Sequence, residues 1–148
     1  MEIYSSGKVL LTGEYVILDG ALSLASPTKF GQHLKLEENQ SNFINWKSIN
    51  YDGKIWFECK IKNENLEIKS TSSKRVSDTL IRIINLIREY RPSFLKNQGS
   101  DISTNLTFDK NWGLGSSSTL ISNLATLSGV DPYILNNKIF KGSSYDIA

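Results

Sequence analysis

The 148 residues are 39% apolar and 22% charged, the balance of an ordinary globular chain, which excludes disorder, and their number suits one domain. Seventeen Lys and Arg against fifteen Asp and Glu leave a formal charge of +2 without a basic run, which argues against nucleic-acid and membrane partners. One cysteine, Cys59, and one histidine, His33, exclude Cys/His zinc frameworks, CxxC redox motifs and an internal disulfide, and the default reading is a cytoplasmic chain.

From Tyr4 to Leu24, short β-branched clusters (Val9-Leu10-Leu11, then Tyr15 to Leu18) are separated by Gly7, Gly13 and Asp19-Gly20, and predict short strands with tight turns. Phe30, Gln32, Leu34 and Leu36 alternate with polar neighbours, so a half-buried strand follows with His33 on its polar face. Phe43 to Ile49 and Lys54 to Ile61 flank Asn50-Tyr51-Asp52-Gly53, a hairpin signal.

Val76, Leu80, Ile83, Ile84 and Ile87 fall on one stripe and predict a helix over Val76 to Tyr90, stopped by Arg91-Pro92. Ile102 to Phe108 alternate as a strand and lead into Asp109-Lys110-Asn111-Trp112-Gly113-Leu114-Gly115-Ser116-Ser117-Ser118. A helix should run from about Ser117 to Ser128 before Gly129, and another from Pro132 to about Lys141, with Asp131 as its cap. No repeat or linker divides the chain.

A strand, a loop of alternating Gly and Ser, and a helix opening at the loop's end make an anion site. Glycines permit close backbone approach, main-chain N–H groups converge, the helix dipole favours negative charge, and hydroxyls reach phosphate oxygens or a metal. On the loop alone, an ordinary serine-capped strand-to-helix turn accounts for the pattern equally well, and it matches neither Gly-x-x-x-x-Gly-Lys-Ser/Thr nor Gly-x-Gly-x-x-Gly.

Lys8 and Glu14 sit beside glycine bends, where a solvated charged pair is the commoner outcome. Asp146, in a polar loop after the last helix, has the chemistry to accept a proton from a hydroxyl, and taken singly it reads as a turn aspartate. His33, with no carboxylate in view, reads as a surface residue, and Cys59 as a small core residue or inert thiol.

Three segments in order change the weight of these signals. Gly7 to Ala21, with its Gly7-Lys8 and Gly13-Glu14-Tyr15, then Gly113 to Ser118, then Tyr145-Asp146-Ile147-Ala148 resemble the GHMP small-molecule kinases. Gly-Glu-Tyr with the following apolar run and Asp-Gly is more similar to mevalonate and phosphomevalonate kinases than to galactokinase. The ending is similar to the Gly-Tyr-Asp-Ile-Ala of a bacterial subgroup, with Ser144 in place of the subgroup's Gly.

The resemblance implies an α+β fold, the GHMP kinase N-terminal domain (ribosomal protein S5 domain 2-like), with a mixed, mostly antiparallel sheet and helices on one face. It covers residues 1–148 as an N-terminal ATP-binding domain, the family's C-terminal domain being absent from this chain. It implies ATP and Mg2+ as cofactors, with phosphoryl transfer to an alcohol or phosphate ester such as mevalonate or phosphomevalonate. Gly113, Leu114, Gly115, Ser116, Ser117 and Ser118 would cradle the triphosphate, and Ser117 would help hold the metal. Asp146 would be the catalytic base and Lys8 its support or that of the transferred group, while Glu14 and Tyr15 would lie at the substrate end. No acidic residue occupies Leu135 to Lys141, where mevalonate kinases carry a metal-binding Glu.

Two other readings share these residues: a diphosphomevalonate decarboxylase-like enzyme with the same ATP loop, and a non-catalytic binding module. Without the second wall of a cleft, this stretch alone is expected to bind ATP weakly and turn nothing over. Ile134, Leu135, Ile139 and Ile147 are expected to be partly uncovered, favouring self-association, a homodimer being its simplest form.

Overall fold

The computed structural model of the chain describes residues 1–12, 22 and 24–140. Six strands are described, β1 (Glu2–Thr12), β2 (Leu24–Asn39), β3 (Phe43–Ile49), β4 (Ile55–Lys62), β5 (Ile68–Thr71) and β6 (Gly99–Leu106), with helices α1 (Lys74–Tyr90), α2 (Ser116–Ser128) and α3 (Pro132–Phe140). They form one sheet in the order β1-β2-β6-β3-β4-β5, antiparallel at every seam except β3 against β6. The α+β architecture expected from the sequence is the one observed.

Alternation along the strands builds the two faces. Ile44, Trp46 and Ser48 on β3 and Ile102, Thr104 and Leu106 on β6 are buried, while Lys47, Asp101 and Asn105 are exposed. Against the buried face α1 lays Leu80, Ile83, Ile84 and Ile87, all at most 3% exposed and on the stripe that the sequence marked. Ile121 and Leu124 of α2 and Leu135 and Ile139 of α3 complete the same core.

Several expectations change. β1 runs unbroken through Gly7, which is an interior strand position and no turn. Glycine is required there by close approach, since a Cβ would lie 2.7 Å from the Leu114 carbonyl oxygen. Gly13, the Tyr15 to Leu18 cluster and Asp19-Gly20 lie outside the described residues. α1 begins two residues before Val76, and β6 begins at Gly99 and ends at Leu106. Leu135 (0% exposed) and Ile139 (8%) are buried where α3 packs on α1 and α2, so neither stands uncovered as expected, whereas Ile134 is half-buried in line with expectation and Tyr133 and Phe140 of the same helix are exposed; Ile147 is outside the described residues. His33 has a carboxylate partner after all, because β1 pairs with β2 and brings Glu2 Oε1 to 3.1 Å from its Nδ1.

Arg88 ties the far end of α1 to the β4–β5 turn. Its guanidinium donates to the carbonyls of Asn63 (2.6 Å), Glu64 (3.3 Å), Phe94 (2.9 Å) and Leu95 (2.9 Å), and burial lowers its pKa. Main-chain oxygens alone receive these bonds.

Candidate phosphate-binding site

The segment joining β6 to α2 is shaped residue by residue. Asp109 Oδ1 accepts from the Asn111 N–H at 2.8 Å, which starts a single helical turn over Lys110–Trp112. The Lys110 N–H donates to Asn50 Oδ1 at 3.3 Å, fastening the turn to the β3–β4 hairpin tip. Trp112 packs edge-on to Phe30 (6.0 Å between centroids) and stacks at 28° on Tyr51 (6.2 Å).

Beyond Trp112 the chain turns through Gly113 (φ +71°) and Gly115 (φ +77°). At Gly115 the left-handed backbone strains any side chain, although a Cβ would meet nothing nearer than Ser118 at 3.7 Å. Helix α2 then opens with the Thr119 N–H donating to the Gly115 carbonyl at 2.9 Å. That first bond leaves the N–H groups of Ser116, Ser117 and Ser118 without an acceptor in the helix. Among the described residues no side chain caps them, and no acidic residue stands in the first turn to offset the positive end of the dipole.

The loop rests on rigid neighbours. Asn123, fully buried on α2, donates to the Gln32 carbonyl at 3.0 Å and accepts from Ser5 Oγ at 2.8 Å, pinning the helix to β2 and β1. The Lys8 N–H donates to the Leu114 carbonyl at 3.3 Å, so the strand bearing Lys8 touches the middle of the loop. A cavity of about 210 Å³ lies between α1, α2 and the sheet, with Ser116 and Ser117 on its wall beside Trp46, Ser48, Trp56 and Thr104.

The structure therefore brings Gly113, Leu114, Gly115, Ser116, Ser117 and Ser118 together with the strand of Lys8. Glu14, Tyr15 and Asp146 lie outside the described residues. Ser117 is exposed and Ser118 is buried. Among the described residues no three His, Cys, Asp or Glu side chains gather as a metal site, and Ser117 is the most exposed of the three serines at the helix start. The cavity, the Trp112 ring contacts and Lys110, whose Nζ sits 4.9 Å from the centre of the Trp56 ring, went unread in the sequence. They join residues more than fifty positions apart, and Trp112 beside Gly113 was the only local signal. No described helix is long and apolar enough to cross a membrane.

No family model and no curated protein matches this chain. Solved structures do match. A mevalonate kinase from Methanococcus jannaschii aligns at 17% identity and TM-score 0.70 over 99% of this chain and 49% of its own. A phosphomevalonate kinase from Streptococcus pneumoniae, in complex with phosphomevalonate and AMPPNP, aligns at 17% and 0.70 over 99% and 46%. A mevalonate diphosphate decarboxylase from Legionella pneumophila aligns at 16% and 0.55 over 99% and 49%. The chain spans about half the length of these proteins. With this coverage and the six-stranded, mostly antiparallel sheet under three helices, the fold of this chain is that of the N-terminal domain of GHMP kinases.

Proposed function

We propose that this chain is the nucleotide-binding part of an ATP-dependent phosphotransferase acting on an alcohol or a phosphate ester, mevalonate and phosphomevalonate being the first candidates. The observation that carries the reading is the start of α2: three serine N–H groups without helical acceptors behind a left-handed glycine, positioned to receive a triphosphate. The neighbouring cavity, below the roughly 300 Å³ of pockets that enclose a whole small ligand, suits the base of the nucleotide and leaves its ribose and phosphates at the loop.

In this reading Lys8 directs positive charge toward the γ-phosphate from the strand bonded to Leu114. Asp146 takes the proton of the acceptor hydroxyl as the new O–P bond forms and the bond to the β-phosphate oxygen breaks, releasing ADP. Glu14 and Tyr15 belong to the acceptor end. The Ser117 hydroxyl, exposed at the helix start, is an oxygen donor of the kind Mg2+ accepts and would help hold that ion. When bound, that ion supplies charge neutralisation on the phosphates. A second domain would form the other wall of the cleft.

The test is ADP release by a protein carrying this chain and its second domain, with mevalonate, phosphomevalonate and diphosphomevalonate as acceptors and CO2 measured in parallel. Acceptor-dependent ADP without CO2 supports the kinase reading. Stoichiometric CO2 would transfer the assignment to the decarboxylase, and absence of nucleotide binding would remove both.

A further inference from the structure

The cavity beside the glycine loop has an uneven stock of hydrogen-bonding groups. On its floor the Trp46 indole N–H donates to Ser48 Oγ at 3.0 Å, and Ser48 and Thr104 share one bond between hydroxyls at 3.0 Å. These side chains are 2%, 4% and 1% exposed. The trio holds one N–H and two O–H protons, and two bonds consume two of them. Whichever way the hydroxyl pair is oriented, one proton remains, and no further acceptor meets either hydroxyl among the described residues.

A second donor is stranded nearby. Trp56 lines the same cavity, and its Nε1 is buried without a partner among the described residues. Lys110 sits over that ring, which holds the indole beside the strand-to-loop connection. Among the described residues Arg75 is the charged member of the wall, no carboxylate lines it, and the Gln32 amide is already engaged by the Thr119 hydroxyl at 3.4 Å. A buried donor left unmade is costly, so an empty cavity of this kind favours a ligand that presents acceptors.

We propose that Trp56 and the Ser48–Thr104 pair are the base-reading groups of this cavity, and that they recognise the ring nitrogens of a purine rather than its exocyclic amino group. The apolar ring fills the space between Val76, Leu80 and Leu120, and its acceptor edge meets the spare donors. An exocyclic amino group finds no carboxylate among the described lining residues and faces the mouth. This rests on the reading that the triphosphate lies at the start of α2, and it adds which atoms of the nucleotide are selected.

The experiment compares binding of ATP, inorganic tripolyphosphate and the 1-deaza, 3-deaza and 7-deaza analogues of ATP by calorimetry, on a protein carrying this chain and its second domain, as wild type and as Trp56→Phe and Thr104→Val. We expect ATP to bind at least about tenfold more tightly than tripolyphosphate, and one deaza analogue to lose about tenfold. That penalty should vanish in one of the two variants, as a coupling between ring nitrogen and side chain requires. Trp56→Phe removes an unmade bond, so its melting temperature should be equal or higher, whereas a merely structural Trp56 would lower it. Equal binding of all purine analogues, or a penalty that persists in both variants, overturns the proposal. Tripolyphosphate binding as well as ATP overturns it while leaving the loop assignment intact; failure of both ligands to bind removes the loop assignment and this proposal with it.

Discussion

The N–H of Lys8 and the carbonyl of Leu114 meet at 3.3 Å, joining an edge strand to the middle of a glycine loop more than a hundred residues away. β1 pairs with β2 on its other side, so this bond lies on the outer edge of the described sheet. The loop's position is thereby set by the sheet as well as by the helix that follows it.

Gly7→Ala tests that coupling. The new methyl would sit 2.7 Å from the Leu114 oxygen, and the backbone on both sides must shift. A loss of about 1–3 kcal/mol in unfolding free energy is expected, with weaker ATP binding, although Gly7 itself bears no functional group. Thermal denaturation and calorimetry measure the two effects, and unchanged values would mean that the contact is slack.

At Gly115 the backbone angle decides the outcome. Gly115→Val should abolish ATP binding, because a β-branched residue at φ +77° reorganises the turn and crowds the N–H groups of Ser116 to Ser118. Gly115→Asn, whose side chain tolerates this region, should preserve the melting temperature more nearly, so the pair separates folding from binding in a nucleotide titration.

For the proposed base, Asp146→Asn in a protein with both domains should leave ATP affinity unchanged and lower turnover by about two to four orders of magnitude. Single-turnover rates and ATP titrations on one preparation measure both, and a loss under about tenfold would make Asp146 structural.

Cys59 gives a pH prediction. Burial pushes its thiol up to about 12, from an ordinary 9.0. At pH 8 only about one folded molecule in ten thousand carries the thiolate, so iodoacetamide should label the native chain far more slowly than the chain in urea. Between 9.0 and about 12 the unfolded chain releases this proton and the folded chain keeps it, so the group's contribution to stability is lost as pH rises through that window. Mass spectrometry of timed labelling reads the first effect, and denaturant titrations at pH 8 and pH 10 the second.

Arg88→Lys should destabilise the fold by about 2 kcal/mol, since one ammonium cannot reach four carbonyls spread over two loops as the guanidinium does. Urea denaturation measures it, and a loss below about 0.5 kcal/mol would mean that water replaces the missing bonds.

Helix α1 and the β3–β4 hairpin were legible because their signals are local: a stripe from Val76 to Ile87 and an Asp52-Gly53 turn. The glycine loop was legible for the same reason, each of its parts lying within ten residues. Gly7 was misread because the sequence carries no mark of Leu114 approaching it, and glycine means a break as readily as a close contact. The four-residue β5 has too few positions to show a period. The burial of Leu135 and Ile139 follows from how α3 meets α1 and α2, a matter of packing that no pattern within α3 reveals. The cavity stayed hidden because Ser48 and Thr104 look like ordinary inward-facing strand residues until β3 and β6 lie side by side.

The placement of β6 bears on how the chain is made. It is the last described strand to leave the ribosome, yet it sits inside the sheet, between β2 and β3. Until Leu106 has emerged, the β1–β2 ribbon and the β3–β4–β5 meander exist as two separate pieces, each with an inner edge of unpaired amides and carbonyls. Synthesis thus passes through an interval in which the nascent chain offers two sticky ribbons to its neighbours. The arrival of β6 closes both edges at once, and the glycine loop, which follows it directly, takes shape only after that seam has formed.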